Sequence, residues 1–425
     1  MSSKKSDRRR FLKASTALAV GGLGAQSGLA AETESAKEPS AGPRNYSNYG
    51  ERSRFVTTAR RDDYVSRLYP SKKVTPLQDL MGIITPASLH FVANHSVPPD
   101  IDPREYRLLI HGMVDRPMTF TLDDLQRMPS ESRIYFVECN GNGAPGKHSM
   151  SSARPEKTPS ENVQDIHGRT SCSEWTGVPL SVVLNEVGVQ KGASWIVSEG
   201  YDSQKYSHSL PLTKAMDDVL LAYGQNGEPV RPEQGYPVRL LAPGFQGPES
   251  VKWLRQIKVV DEPYVTREEI SMHSYLTPNL QGKARWFHFE MPPKSVILRP
   301  ALGQQLPGKG YHEITGLAWS GGGAIRRVEI SVDGGRSWKD AKLQEPVLRF
   351  AHTRFRFNWT WNGEETVILS RCTDERGTVQ PMLAEFSKRL GAPKDFWKTS
   401  SVFHFNAIQP WKIERDGRVT DAMEL

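Results

Sequence analysis

The sequence predicts two folded domains. The first mixes strands with short helices, and the second is a small β-sandwich of immunoglobulin type. Three observations predict this. The chain has 425 residues, more than one ordinary core accommodates. Its 30 prolines and 35 glycines favour short strands and loops over long helices. Near Met291-Pro-Pro293 the pattern changes: strands interspersed with capped helices give way to short strands separated by turn residues.

The N-terminal stretch stands apart. Asp7-Arg-Arg-Arg-Phe-Leu-Lys13 is a twin-arginine pattern, an apolar run of small residues follows over 14–29, and Gly28-Leu-Ala30 offers a small-x-small cleavage site. Gly21, Gly22 and Gly24 interrupt that run, which is short for a membrane span. Residues 1–30 are therefore read as an export signal for a folded protein bound for the periplasm, a route that suits a cofactor inserted before export. The segment carries most of the net charge of +7, since Lys4, Lys5, Arg8, Arg9, Arg10 and Lys13 stand against Asp7 alone. The remainder is near neutral and makes no electrostatic case for nucleic acid. Residues 31–80 read as a polar N-terminal arm, 81–290 as the first domain and 291–425 as the second.

Within the first domain, residues 106–112 form a strand ending at a glycine. Thr121 followed by Asp124 is an N-cap signature opening a short helix with Leu122, Leu125 and Met128 on one side. A buried strand over 134–137 then delivers Cys139 into the turn Asn140-Gly-Asn-Gly143. Gly141 and Gly143 remove side chains just beyond the sulfur, so a bulky group could approach the backbone there. A cysteine so placed is a candidate metal ligand or nucleophile if other polar groups converge on it; otherwise it is a small buried hydrophobe. Gly141-Asn-Gly-Ala-Pro-Gly146 satisfies the dinucleotide fingerprint, but Pro145 and the serines and prolines after it predict a loop where that fingerprint needs a helix.

Pro179 and Gly188 bracket a helix. Residues 194–198 are a strand, 210–221 a second helix, and 236–242 a strand with Arg239 inside an apolar run. A buried arginine needs an anion, either a carboxylate of the protein or a phosphate or pterin. In the second domain, residues 328–332 alternate and end at the hairpin turn Asp333-Gly-Gly335. Phe355, Phe357, Trp359 and Trp361 share one strand face and read as core. Of the three cysteines, Cys172 and Cys372 read as buried thiols. No Cys-x-x-Cys pair offers a haem attachment or zinc ribbon.

Six motifs in order carry a resemblance: Phe91-x-x-Asn94-His95, Cys139-x-Gly-Asn142, Trp175-x-Gly177, Gly235-Tyr-Pro-Val-Arg239, Val251-Lys-Trp-Leu254 and Ala318-Trp-Ser-Gly-Gly322. From about Leu89 to the C-terminus the chain resembles the sulfite oxidase family of molybdopterin enzymes. Ser171-Cys-Ser-Glu-Trp-Thr-Gly-Val-Pro179 and Tyr223-Gly-Gln-Asn-Gly227 are similar to its branch of molybdenum subunits of sulfane (sulfite) dehydrogenases of bacterial thiosulfate oxidation. The resemblance implies an α+β fold, with a sulfite-oxidase-type molybdopterin-binding domain followed by an immunoglobulin-like β-sandwich dimerisation domain. It implies a molybdenum–molybdopterin cofactor with Cys139 as the metal ligand, consistent with the affinity of soft thiolates for sulfur-rich metal sites. It places Asn94, His95, Arg239 and Lys252 against that cofactor, with Arg239 answering the pterin or its phosphate. His95 and Tyr275 become candidate catalytic groups beside Cys139. Arg389 and His404 fall in a tail resembling a family segment near the active site.

The chain departs from the sulfite-oxidising pattern twice. Ala93 stands where those members carry an arginine that holds sulfite, and Gln234 where others carry a histidine. Losing the arginine removes an anion clamp worth about 2–3 kcal/mol. The expected activity is therefore oxidation of sulfane sulfur on a carrier protein by oxygen-atom transfer; oxidation of free sulfite to sulfate is the alternative. With no haem motif in the chain, the resemblance implies a c-type cytochrome subunit as electron acceptor, around a homodimeric core.

Overall fold

The computed structural model describes residues 52, 53, 55–62, 72–143, 162–276, 278–281, 283–393, 396–399 and 404–423. The twin-arginine segment and residues 144–161, which include the second half of the false dinucleotide fingerprint, lie outside them. Contacts divide the chain into Met1–Val56 and Thr57–Leu425. Of the first unit, a turn is described in which Val56 N donates to Ser53 O at 2.9 Å.

The second unit begins with the described part of the expected arm, which is paired into the fold. Arg61–Asp62 pairs with Lys73–Val74, and Lys73 exchanges two backbone hydrogen bonds with Val92. Two sheets follow. In one, the order is Glu228–Pro229, Leu220–Gln225, Thr170–Pro179, Glu131–Glu138, with Arg239–Leu241 also paired to Leu220–Gln225, all antiparallel. In the other, the order is Met118–Phe120, Leu108–Gly112, Leu254–Val260, Trp195–Gly200, Ser207–Pro211, and only the pair Leu108–Gly112 with Leu254–Val260 is parallel.

Local sequence explains the helices between these strands. Thr121 Oγ1 accepts from Asp124 N at 3.1 Å and Asp124 returns the bond to Thr121 N at 2.9 Å, a capping box that starts the helix Leu122–Arg127. The helix Leu180–Val187 buries Leu180, Val183, Leu184 and Val187 and stops at Gly188, whose φ of 70° suits glycine. The helix expected over 210–221 is shorter. It spans Leu212–Asp217, and Leu220, Leu221 and Ala222 are strand. Tertiary pairing overrides the helical pattern there, because Leu220 and Leu221 lie opposite Pro179 and Val178, and Ala222 opposite Arg239.

The second domain is a sandwich of two antiparallel sheets. One has the order Lys294–Arg299, Gly310–Trp319, Thr353–Trp361, Lys342–Leu343; the other Lys339–Asp340, Ile325–Ser331, Thr366–Asp374, Trp411–Ile413, Val419–Asp421. Phe355, Trp359 and Trp361 are core as expected, and Cys372 is fully buried between the sheets. The largest apolar cluster does not respect the domain division: it joins Phe91, Phe136, Cys172 and Trp175 to Trp319, Phe355 and Trp411. A second cluster lies wholly in the first domain, around Leu108, Ile110, Val183, Leu184 and Ile257. A third gathers Phe386, Leu390, Trp397 and Phe405.

Candidate active site

Cys139 follows the last residue of the strand Glu131–Glu138 and is half-buried. Its turn is tied on every side. Cys139 N donates to Arg169 O and Asn142 N to Cys139 O, both at 2.9 Å, and His404 N donates to Asn140 O at 2.8 Å. Glu138, fully buried beside the cysteine, accepts from Asn142 Nδ2 at 2.8 Å, Lys294 Nζ at 3.0 Å and Trp319 Nε1 at 2.6 Å. The second domain thus grips the cysteine turn of the first. The two turn glycines differ in role. A Cβ on Gly141 would meet nothing nearer than Arg169 Nη1 at 3.4 Å, which leaves room over the turn. A Cβ on Gly143, at φ +77°, would strike His167 and Lys294 at 2.7–2.8 Å.

Cys139 lines a cavity of about 1040 Å³ of empty space including its mouth, together with Asn94, His95, Arg239 and Lys252. All five cofactor residues read from the sequence therefore meet in one place. Ala93, Gln234, Lys72 and Arg169 also line it. Arg239 is 1% exposed. Its guanidinium donates to the carbonyls of Gln234 (3.0 Å) and Ser250 (3.1 Å) and lies 5.0 Å over the Trp175 ring. Among the described residues no carboxylate pairs with it, and burial pushes its pKa down to about 9. Lys252 Nζ donates to Asn94 Oδ1 at 2.7 Å and to Glu233 O at 2.9 Å. Burial, and then the positive charge of Arg239, hold its pKa well below the ordinary lysine range. Glu233 is already paired with Arg60. Two buried cations that repel each other are costly unless an anion joins them. His90 Nε2 and Asn140 Nδ2, also at this cavity, make no hydrogen bond among the described residues. The chemistry of the lining is thus that of a polar, anionic ligand with many acceptors. Among the described residues no three His, Cys, Asp or Glu side chains converge on a metal ion. A metal held by Cys139 would take its other ligands from such a cofactor.

Tyr275 is the one candidate that the structure does not bring to the cavity. It lies in the strand Ser274–Leu276 and packs on the cluster of Phe386, Leu390 and Trp397, outside the cavity lining. Burial pushes its hydroxyl up to about 12. The tyrosine in the cavity is Tyr206. Its ring meets His95 edge-on at 5.7 Å between centroids, and its backbone N donates to Asp202 Oδ1 at 3.0 Å. Burial, with Glu249 and Cys139 adding negative charge, holds its hydroxyl protonated well above the usual range. Tyr206, Arg169 and His273 were missed in the sequence because none sits in an ordered motif. Sequence proximity to Asp202 and His208 is the faint signal that could have marked Tyr206. Cys172 is fully buried as expected, its thiol pushed up to about 12. His404 belongs to the cysteine turn through its backbone, at a φ of +61° that a non-glycine residue rarely adopts.

Comparison with known proteins gives this geometry a lineage. Residues 94–267 match an oxidoreductase molybdopterin binding domain, and 285–399 match a Mo-co oxidoreductase dimerisation domain. Mouse mitochondrial sulfite oxidase is 32% identical over 332 residues, covering 71% of this chain and 58% of that protein. NADH nitrate reductase 2 of Phaseolus vulgaris is 33% identical over 324 residues, covering 69% of this chain and 35% of that protein. The chain thus spans between about a third and three fifths of these relatives. The sulfane dehydrogenase SoxCD of Paracoccus pantotrophus superposes with a TM-score of 0.81 at 36% identity, over 91% of this chain and 96% of that one. A thiolate at a cationic, polar cavity fits a molybdenum–molybdopterin cofactor, and the chain belongs to the sulfite oxidase family of molybdopterin oxidoreductases.

Proposed function

We propose that this chain is the molybdenum subunit of a periplasmic sulfane dehydrogenase, oxidising sulfane sulfur presented on a carrier protein and passing the electrons to a c-type cytochrome. The observation that carries this reading is Ala93 on the cavity wall next to Asn94 and His95, where the sulfite-oxidising pattern has an arginine. The small side chain leaves the approach to Cys139 open and removes a bidentate anion clamp. Both effects favour a bulky thiol-bound substrate over free sulfite. The likeness to the sulfane dehydrogenase structure over nine tenths of the chain supports the same reading.

When bound, the molybdenum–molybdopterin cofactor supplies two-electron oxygen-atom transfer to sulfur. The residues of this chain hold and frame it. Cys139 is the protein ligand to the metal. Arg239 and Lys252 lie side by side against Gly235 and line the cavity, where the cofactor's anionic groups would neutralise them. Asn94 fixes Lys252 through its Oδ1. Burial and then the charge of Lys72 push His95 down to about 3, so it presents an uncharged imidazole to the substrate side. The Tyr206 hydroxyl remains a hydrogen-bond donor throughout the working pH range.

A second reading, oxidation of free sulfite, is favoured by Lys72 and Arg169, two cations that line the same cavity and could replace the missing arginine. Stopped-flow reduction of a c-type cytochrome by the molybdenum-loaded protein separates the two. Fast turnover with a carrier persulfide and slow turnover with sulfite is the expected outcome. Fast turnover with sulfite alone would establish the second reading instead.

A further inference from the structure

Behind the cavity wall stands a row of titratable side chains that none of this chemistry uses. His273 lines the cavity. Its Nδ1 lies 2.7 Å from His208 Nε2, and His208 Nδ1 lies 3.6 Å from Glu249 Oε1. Gln246 Nε2 donates to the same Glu249 oxygen at 2.7 Å and fixes it. The three titratable groups are 5% exposed or less. Other carboxylates nearby are committed elsewhere. Glu268 pairs with Arg267, while Glu269 accepts from Thr266 N at 2.7 Å and Ser209 Oγ at 3.0 Å. Asp202 accepts from Tyr206 N, and from Ser96 Oγ at 3.1 Å. His95 bears on both His208 and His273, and Lys72 bears on His273; His95 in turn faces Lys72, Lys252 and Arg267. His404 also faces His273 and is bonded through its Nε2 to Gln246 Oε1 at 3.0 Å; Lys294 bears on His404 in turn. Neither Glu249 Oε2 nor His208 Nδ1 makes a hydrogen bond among the described residues, so His208 and Glu249 must approach each other for a proton to pass. A partly satisfied buried polar row is less stable than apolar packing of the same volume, so its presence calls for a use.

The proposed reaction provides one. Each oxidation of sulfur takes its oxygen from water: R–S–S⁻ plus H₂O gives R–S–S–O⁻, two protons and two electrons. The electrons go to the haem protein, and the protons are released in the cavity. We propose that His273, His208 and Glu249 form a proton line that takes up a proton released in this cavity, with Glu249 as its end. A proton arriving on His273 displaces the one shared with His208, and His208 in turn delivers its Nδ1 proton to the Glu249 carboxylate. One proton passes from the cavity to Glu249 and no covalent bond between heavy atoms changes. Burial favours the neutral acid of Glu249 and the neutral imidazole of both histidines, so of the three groups Glu249 is the one that holds the proton. The inference rests on the proposed sulfur oxidation for the source of its protons, while the line itself is read from geometry.

Glu249→Gln keeps the shape and the bond from Gln246 but removes the proton site. In the molybdenum-loaded full chain we expect kcat to fall about a hundredfold with KM retained. We also expect a solvent deuterium isotope effect to appear, and added imidazole to restore part of the rate. Infrared difference spectra on dithionite reduction need no sulfur substrate. They should show a carboxylic acid band in the parent protein that is missing from Glu249→Gln. Absence of that band in the parent, or an unchanged kcat and pH profile in the variant, overturns the proposal. So does a loss of rate that neither imidazole nor heavy water alters, since that reports packing alone. Should Glu249→Gln fail to retain molybdenum, His208→Gln is judged by the same readouts. A parent protein that oxidises neither sulfite nor a persulfide would refute the proposed function, while the infrared result still judges the line.

Discussion

Ala93 and Cys139 divide the work of the cavity between them, one by leaving space and the other by filling it with a ligating sulfur. Restoring a long cation through Ala93→Arg should raise kcat/KM for free sulfite by at least about tenfold, the effect of part of a charge-assisted clamp. Steady-state kinetics with sulfite checks this, and no gain would mean that Lys72 or Arg169 already holds the anion. Cys139→Ser should leave the fold intact but lower the molybdenum bound per chain at least about tenfold, because a hydroxyl does not replace a soft thiolate. Elemental analysis of the purified variant reads this directly, and undiminished molybdenum would remove Cys139 from its assigned role. Tyr206 and Tyr275 show where residue-level reading stops. The motif residues Asn94, His95, Cys139, Arg239 and Lys252 could be recognised from their neighbours in sequence and do meet in the cavity. Tyr206 reaches it through pairing of the strands Trp195–Gly200 and Ser207–Pro211, which brings it against His95 from about 110 residues away. No local pattern encodes that approach.

At the scale of elements, the strand Glu131–Glu138 both fills the core, with Phe136 and Val137, and presents the cysteine at its end. Its last residue, Glu138, makes a buried ion pair with Lys294, the first residue of the strand Lys294–Arg299. Lys294→Met would strand the Glu138 carboxylate in an apolar seam, at a cost of about 3–5 kcal/mol. The denaturation midpoint should fall accordingly, and adding Glu138→Gln should recover most of the loss. If Lys294→Met alone proves neutral, the seam is hydrated and the clamp weaker than the geometry implies. The sequence marked the cysteine strand but neither the strand after Pro293 nor their union. A lysine between Pro293 and Ser295 reads as ordinary surface until the partner carboxylate, 156 residues away, is known. The same gap explains the overlong helix expected at 210–221. Its apolar residues repeat at a helical spacing, yet Leu220 and Leu221 are claimed by neighbouring strands.

For the whole molecule, burial of histidine sets the response to acid. Burial pushes His167, His208 and His352 down to about 3. The unfolded chain therefore binds more protons than the folded one between pH about 3 and 6.5. The stability that these neutral imidazoles confer is fully present above the unfolded value of about 6.5 and is lost as pH falls toward 3. Each of the three should cost about 2 kcal/mol at pH 5 relative to neutral. Chemical denaturation at pH 7 and pH 5 tests this, and equal midpoints would show that the buried histidines keep a charged partner.

The grip of His404 on Asn140 also has a consequence for the order in which the protein is made. Cys139 is synthesised well before residues 294, 319 and 404, which close the turn that holds it. A nascent chain cannot offer a finished ligand site until residue 404 has emerged. Cofactor capture is thereby postponed until then, and a chain cut short before that residue is left with a thiol but no seat for the metal.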